Sequence, residues 1–152
     1  MTTLELLRQT ASGLANQIEM ADEEQLRRIS AAVACAAVER AGLSHPVITE
    51  ALQHLRASTQ PHPDLQARVQ SVAERLDADY FEIQQPFDDR EDAGKTEPVV
   101  IAAFARARAA TAVAAALGGV ASIAAAETAY EAVAATDDSE YFSRDAQSVL
   151  TI

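Results

Sequence analysis

Tryptophan is absent from this 152-residue chain, cysteine occurs once, and glycine and proline occur five times each. With one thiol, no intrachain disulfide can form, and Cys35, set in the apolar run Ala31 to Val38, reads as a small buried hydrophobe. So little glycine and proline excludes a collagen-like or low-complexity chain. Nowhere do apolar and polar residues alternate as a half-buried strand requires. The opening MTTLELLRQT has neither a cationic leader nor an apolar core, so a cytoplasmic location is expected. Basic residues are also few, 12 Lys and Arg against 23 Asp and Glu, for a net charge of −11. That balance repels nucleic acid and anionic membranes, and it suits a basic partner.

Site chemistry is equally thin. Gly94-Lys95-Thr96 ends like a phosphate-binding loop, but position 89, where the loop needs glycine, is Asp. An EF-hand fails in two registers: from Asp88 the third position is Arg90, and from Asp89 the twelfth is Val100. Of His45, His54 and His62, only His54 has an acid, Glu50, one helical turn away, so no metal or cofactor site is expected. No Gly-x-Ser-x-Gly elbow appears, and no two carboxylates stand out as an acid/base pair. Tyr141-Phe-Ser-Arg-Asp145 is similar to the loose Tyr-x-x-x-acid secretion signal of type VII systems. The Trp-x-Gly turn of the small helical-hairpin family that uses such systems is impossible here. The longest uncharged run, Ala109 to Ala126, is ten-eighteenths Ala and is interrupted by Gly118-Gly119, a poor membrane span.

What the chain does have is helix. Thr2 with Glu5 reads as a capping box opening a helix to about Glu19, with Leu4, Leu7, Ala11, Leu14 and Ile18 on one stripe. Asp22 with Gln25 opens a second, in which Leu26, Ile29, Val33, Ala36 and Arg40 trace a face, closed by Gly42. Ser44 is expected to cap a third, with Pro46 in its first turn. Leu65, Val69, Val72, Leu76, Tyr80 and Ile83 give the clearest helical period, stopped by Pro86. Two further helices share 18 Ala in the 39 residues from Pro98 to Thr136, and 137–152 reads as a tail or as a short last helix through Val149, capped by Asp137 or Asp138. The expected fold is all-α: a compact bundle of six to seven helices, one domain over 1–152, with an Ala-rich central hairpin at 98–136. Residues 86–97 read as a mobile acidic connection.

Charge separates the regions. Residues 98–136 are neutral, whereas eight acids lie between Glu74 and Asp92 against Arg75 and Arg90 alone. Phe81 falls one residue off the fourth helix's apolar stripe and Phe87 lies beyond its end. These two rings, beside Asp77, Asp79, Glu82, Asp88, Asp89, Glu91 and Asp92, are the candidate partner-binding residues. Aromatic anchors supply burial, and carboxylates steer a Lys- and Arg-bearing partner into place. The leading expectation is a non-enzymatic inhibitor that blocks a basic protein, in the manner of an antitoxin or immunity protein facing a nuclease-like toxin. Two alternatives are a structural or regulatory homo-oligomer joined through the 98–136 helices, and an enzyme or small-ligand binder with a pocket between helices.

Overall fold

The helices begin where a side chain can accept the orphan N–H groups of the first turn. The computed structural model of the chain describes residues 2–58, 60–87, 97–136 and 138–150. In α1 (Thr3–Thr10), Thr2 and Glu5 form the reciprocal capping box. Asp22 and Gln25 do the same for α3 (Glu23–Ala41), which ends on Gly42 in the left-handed region at φ 64°. The cap of α4 (Pro46–Ala57) is His45, not Ser44: His45 Nδ1 accepts the Val47 N–H. Pro46 at the first helical position makes its predecessor the cap, and an imidazole reaches as a carboxylate would. His62 caps α5 (Pro63–Gln84) in the same way, accepting from Leu65. A 3-10 turn, Gln85–Phe87, carries the chain through Pro86. There follow α6 (Pro98–Ala116), α7 (Ala121–Thr136) and α8 (Ser139–Leu150), the last opened by the Asp138 carboxylate accepting from Tyr141.

The described residues are all helical, turn or loop, with no strand. They hold eight α-helices rather than six or seven, because the first expected helix is two. Ala11 leaves helical dihedrals (φ −149°, ψ 65°) and separates α1 from α2 (Ser12–Met20). Thr10, Ser12 and Gly13 around it are weak helix formers, so the break falls where propensity resists it least. It lets α1 pack on α7 and α2 on α8. Arg8 ties the two back together through Asn16 and Glu19. The apolar stripe survives the break, with Leu7, Ala11, Leu14 and Ile18 all buried.

Three helices carry most of the interior. α3 touches α4, α6, α7 and α8; α6 touches α3, α4, α5 and α7; α7 touches α1, α2, α3, α6 and α8. Their contact faces are mainly Ala, which admits close approach of axes and adds dispersion contact without bulk. Ser30 and Thr128 are buried by returning their hydroxyls to the carbonyls of Leu26 and Ala124. The α6–α7 turn is held by a charge: Arg27 of α3, 8% exposed, donates to the carbonyls of both Gly118 and Gly119. Space is short there, since a Cβ on Gly118 would lie 3.0 Å from the Ala115 carbonyl oxygen. The uncharged run Ala109 to Ala126 is thus two helix ends and a turn. Among the described residues α6 alone has the length and composition of a membrane span, and half of its apolar window is buried inside the protein.

α5 and α6 run antiparallel. Gln66 donates to the Ala114 carbonyl, Asp77 pairs with Arg108, and Tyr80 packs on Phe104 at 5.4 Å. The Glu50–Arg68 pair and the His54–His62 ring contact put α4 along the first turns of α5.

Candidate functional site

The register of that antiparallel pair places the end of α5 level with the first turns of α6. The apolar period of α5 continues through this end, yet Leu65, Val69 and Ala73 are buried while Leu76, Tyr80 and Ile83 are half-buried. α6 changes in the same direction. Six of the eight residues from Ala109 to Ala116 are buried, against two of the eight from Pro98 to Ala105. Apolar side chains consequently surface here: Phe81 is 64% exposed, and Val99 and Ile101 are about half exposed.

The candidate partner-binding residues divide into three groups. Asp79, Phe81 and Glu82 are exposed on α5, and Asp79 and Glu82 line a shallow depression with Ile83, Ala103 and Arg106. Phe87 is half-buried in the 3-10 turn. Asp77 faces inward instead and is engaged: Arg108 Nη2 meets its Oδ1 at 2.7 Å while Arg108 Nη1 meets Glu131 Oε2 of α7 at 3.0 Å. Asp88, Asp89, Glu91 and Asp92 lie outside the described residues.

The Arg108 cluster is electrostatically incomplete. Burial works against the Arg108 charge, but hydrogen bonding to Asp77 and the nearby carboxylates outweigh it and hold its pKa above the ordinary value. Glu131 is pushed up, because desolvation on burial exceeds the attraction of Arg108. Arg108 Nε is buried without an acceptor. Sequence reading missed this cluster, whose members sit 23 and 31 positions apart on three helices.

A second feature was also missed. A groove of about 740 Å³ runs between α3, the end of α4 and α8. Cys35, half-buried, lies in its wall and not in the core. Desolvation raises the thiol pKa, with the Arg56 guanidinium acting in the opposite sense. Asp145 is raised by desolvation and by the neighbouring Glu39. On one side of it Arg40 lies over the Tyr141 ring at 4.4 Å and pairs with Asp138. The one legible trace in the sequence was Cys35 and Glu39, four apart and so on one face of α3.

Among the described residues no three His, Cys, Asp or Glu side chains converge as a metal site. Glu50 turns to Arg68, and His54 meets the Gln60 carbonyl. No family model, curated protein or solved structure matches this chain.

Proposed function

We propose that this protein is a non-enzymatic interaction module, a compact single-domain bundle that binds and blocks a basic protein through the free end of its α5–α6 pair. The Ala-rich α6–α7 hairpin is its central scaffold. The observation that carries this reading is Phe81, a large ring 64% exposed between Asp79 and Glu82 on an ordered helix. Neither carboxylate has an ion-pair partner among the described residues. A ring among free carboxylates pairs an anchor with electrostatic selection, the combination expected for a Lys- and Arg-bearing surface. An antitoxin- or immunity-type inhibitor of a nuclease-like toxin, acting in the cytoplasm, has this chemistry.

The test uses a basic protein isolated with the full chain as bait. Phe81→Ala should weaken the complex by about tenfold or more, and raising salt from low to high should weaken it further. Affinity indifferent to both changes overturns the reading.

A second reading is favoured by a separate observation. Val99, Ile101, Val120 and Ile123, four of the six exposed large hydrophobics among the described residues, belong to α6, α7 and their turn. A homo-oligomer joined through the 98–136 helices would cover them. Light scattering of the full chain separates the two, since the blocker need not self-associate.

A further inference from the structure

Two neighbouring helices begin on a different chemistry from the rest. Among the described residues, α1, α3 and α8 open on Thr2, Asp22 and Asp138, whose oxygens accept a hydrogen bond at any pH. α4 and α5 open on His45 and His62, each followed by proline. An imidazole nitrogen accepts only while it carries no proton.

His62 is the more tightly held of the two. Its Nδ1 accepts the Leu65 N–H at 3.1 Å, and Pro61 and Pro63 on either side restrict the backbone that could seek another cap. Its ring packs edge to face on His54 of α4, with centroids 5.0 Å apart. His54 Nε2 donates to the Gln60 carbonyl at 2.9 Å, a bond that survives protonation of the other ring nitrogen. The pair can therefore take one proton, on His54, with every bond intact. A second proton, on His62, breaks the Leu65 cap, sets two cations against each other and places one of them at a helix N-terminus.

The charges around the ring do not reverse this. From α4, Glu50 is paired with Arg68 of α5, and Arg56 is a further cation. From α3, Glu23, Glu24 and Arg27 face Gln60 and Pro61 across a second groove; Glu24 pairs with Arg28, and Arg27 holds the Gly118-Gly119 turn. α6 meets the first turns of α5 through the Ala114 carbonyl, which Gln66 holds. Asp64 and Glu23 are left as uncommitted acids, and both are exposed. Their pull on a protonated ring through water is worth about twofold, against about fivefold for the cap and a further cost for the second cation.

We propose that His62 makes the joint between α4 and α5 an acid-sensitive switch: protonation of its ring removes the cap of α5 and releases the end of α4 from it. Leu55, Arg56 and Ala57 at that end form part of the wall of the 740 Å³ groove, so acid reshapes the groove while the α6–α7 scaffold stays closed. The joint shares no residue with the docking end of α5.

The unfolded chain takes the His62 proton at no cost, so stability falls as pH falls through the ordinary histidine range near 6.5. If only the opened chain binds that proton, the unfolding constant rises by about tenfold between pH 7.5 and pH 5.5. Asn is a favoured cap that does not titrate, so urea titration of the full chain and of His62→Asn at both pH values isolates the effect. The ratio of the wild-type to the variant unfolding constant should rise about tenfold on acidification; His45, Glu131 and Asp145 are common to both proteins and cancel. Amide hydrogen exchange, corrected for its intrinsic rate, should show α4 and the first turns of α5 losing protection in acid in the wild type and keeping it in the variant. His62→Ser replaces the variant if Asn does not fold. A ratio constant within about twofold overturns the proposal. So does acid-induced loss of protection that persists in the folded variant, or that spreads evenly over all the helices.

Discussion

The two ends of the α5–α6 pair are built from one apolar rhythm and come to opposite fates. At the Gly118-Gly119 end, Leu65, Val69 and the last turns of α6 are buried, and Gln66 and Arg27 hold the carbonyls that the helix terminus leaves open. At the other end Leu76, Tyr80 and Ile83 keep the spacing but stay half-buried, and Phe81 is bare. The helix face is the same; the number of neighbouring helices is not. Periodicity marks which side of a helix wants cover, and tertiary packing decides whether cover arrives.

That contrast can be broken most directly with one residue type. Leu65→Ala should cost about 3 kcal/mol, as expected for a buried leucine whose cavity cannot fully collapse. Leu76→Ala, eleven positions on along the same stripe, should cost about 1 kcal/mol, since part of its surface already meets water. Denaturant titration of both variants checks this, and equal costs would mean that the two ends are equally supported.

Arg27→Ala should cost about 2–3 kcal/mol by orphaning two carbonyls at the covered end. Arg27→Lys should restore only part of it, because an ammonium lacks the planar fork that serves both. At the middle of the pair, Arg108→Ala should cost about 1–2 kcal/mol at pH 7 by leaving Asp77 and Glu131 facing each other unpaired. The pH dependence has a definite sign. Glu131 already titrates above its ordinary value in the folded protein, so the native state takes up its proton more readily and gains stability as pH falls through that pKa. Removing Arg108 raises it further, so the deficit of the variant should shrink on acidification from pH 7 toward pH 5. A deficit that stays constant or grows would show that Arg108 acts through packing and not charge. Phe81→Ala at the uncovered end should change stability least, by less than about 0.5 kcal/mol. A larger loss would mean the ring is anchored within this chain.

Much of the fold was legible. The capping boxes at Thr2 and Asp22, the left-handed Gly42 and the break at Gly118-Gly119 stand where local chemistry puts them. Two local readings differed: His45 took the cap expected of Ser44, and Ala11 split a stripe that is continuous in sequence. Of the candidate site, the exposure of Phe81 followed from its place one residue off the stripe. The inward turn of Asp77 did not, since Arg108 and Glu131 lie on other helices. Cys35 shows the same limit, because a thiol among Ala and Val sits equally well in a core or in a groove wall, and α4 and α8 decided for the wall.

By itself the sequence determined an all-helical chain, where most of its helices start and stop, which side of each seeks burial, and an acidic excess kept off residues 98–136. These follow from caps, propensities and spacing, which act within a few residues. Only the tertiary structure decided which apolar sides found neighbours, that one carboxylate of the acidic helix is held by Arg108, and that Arg56, Glu39 and Asp145 share a groove. Such facts depend on helices far apart in the chain, whose approach no local pattern encodes.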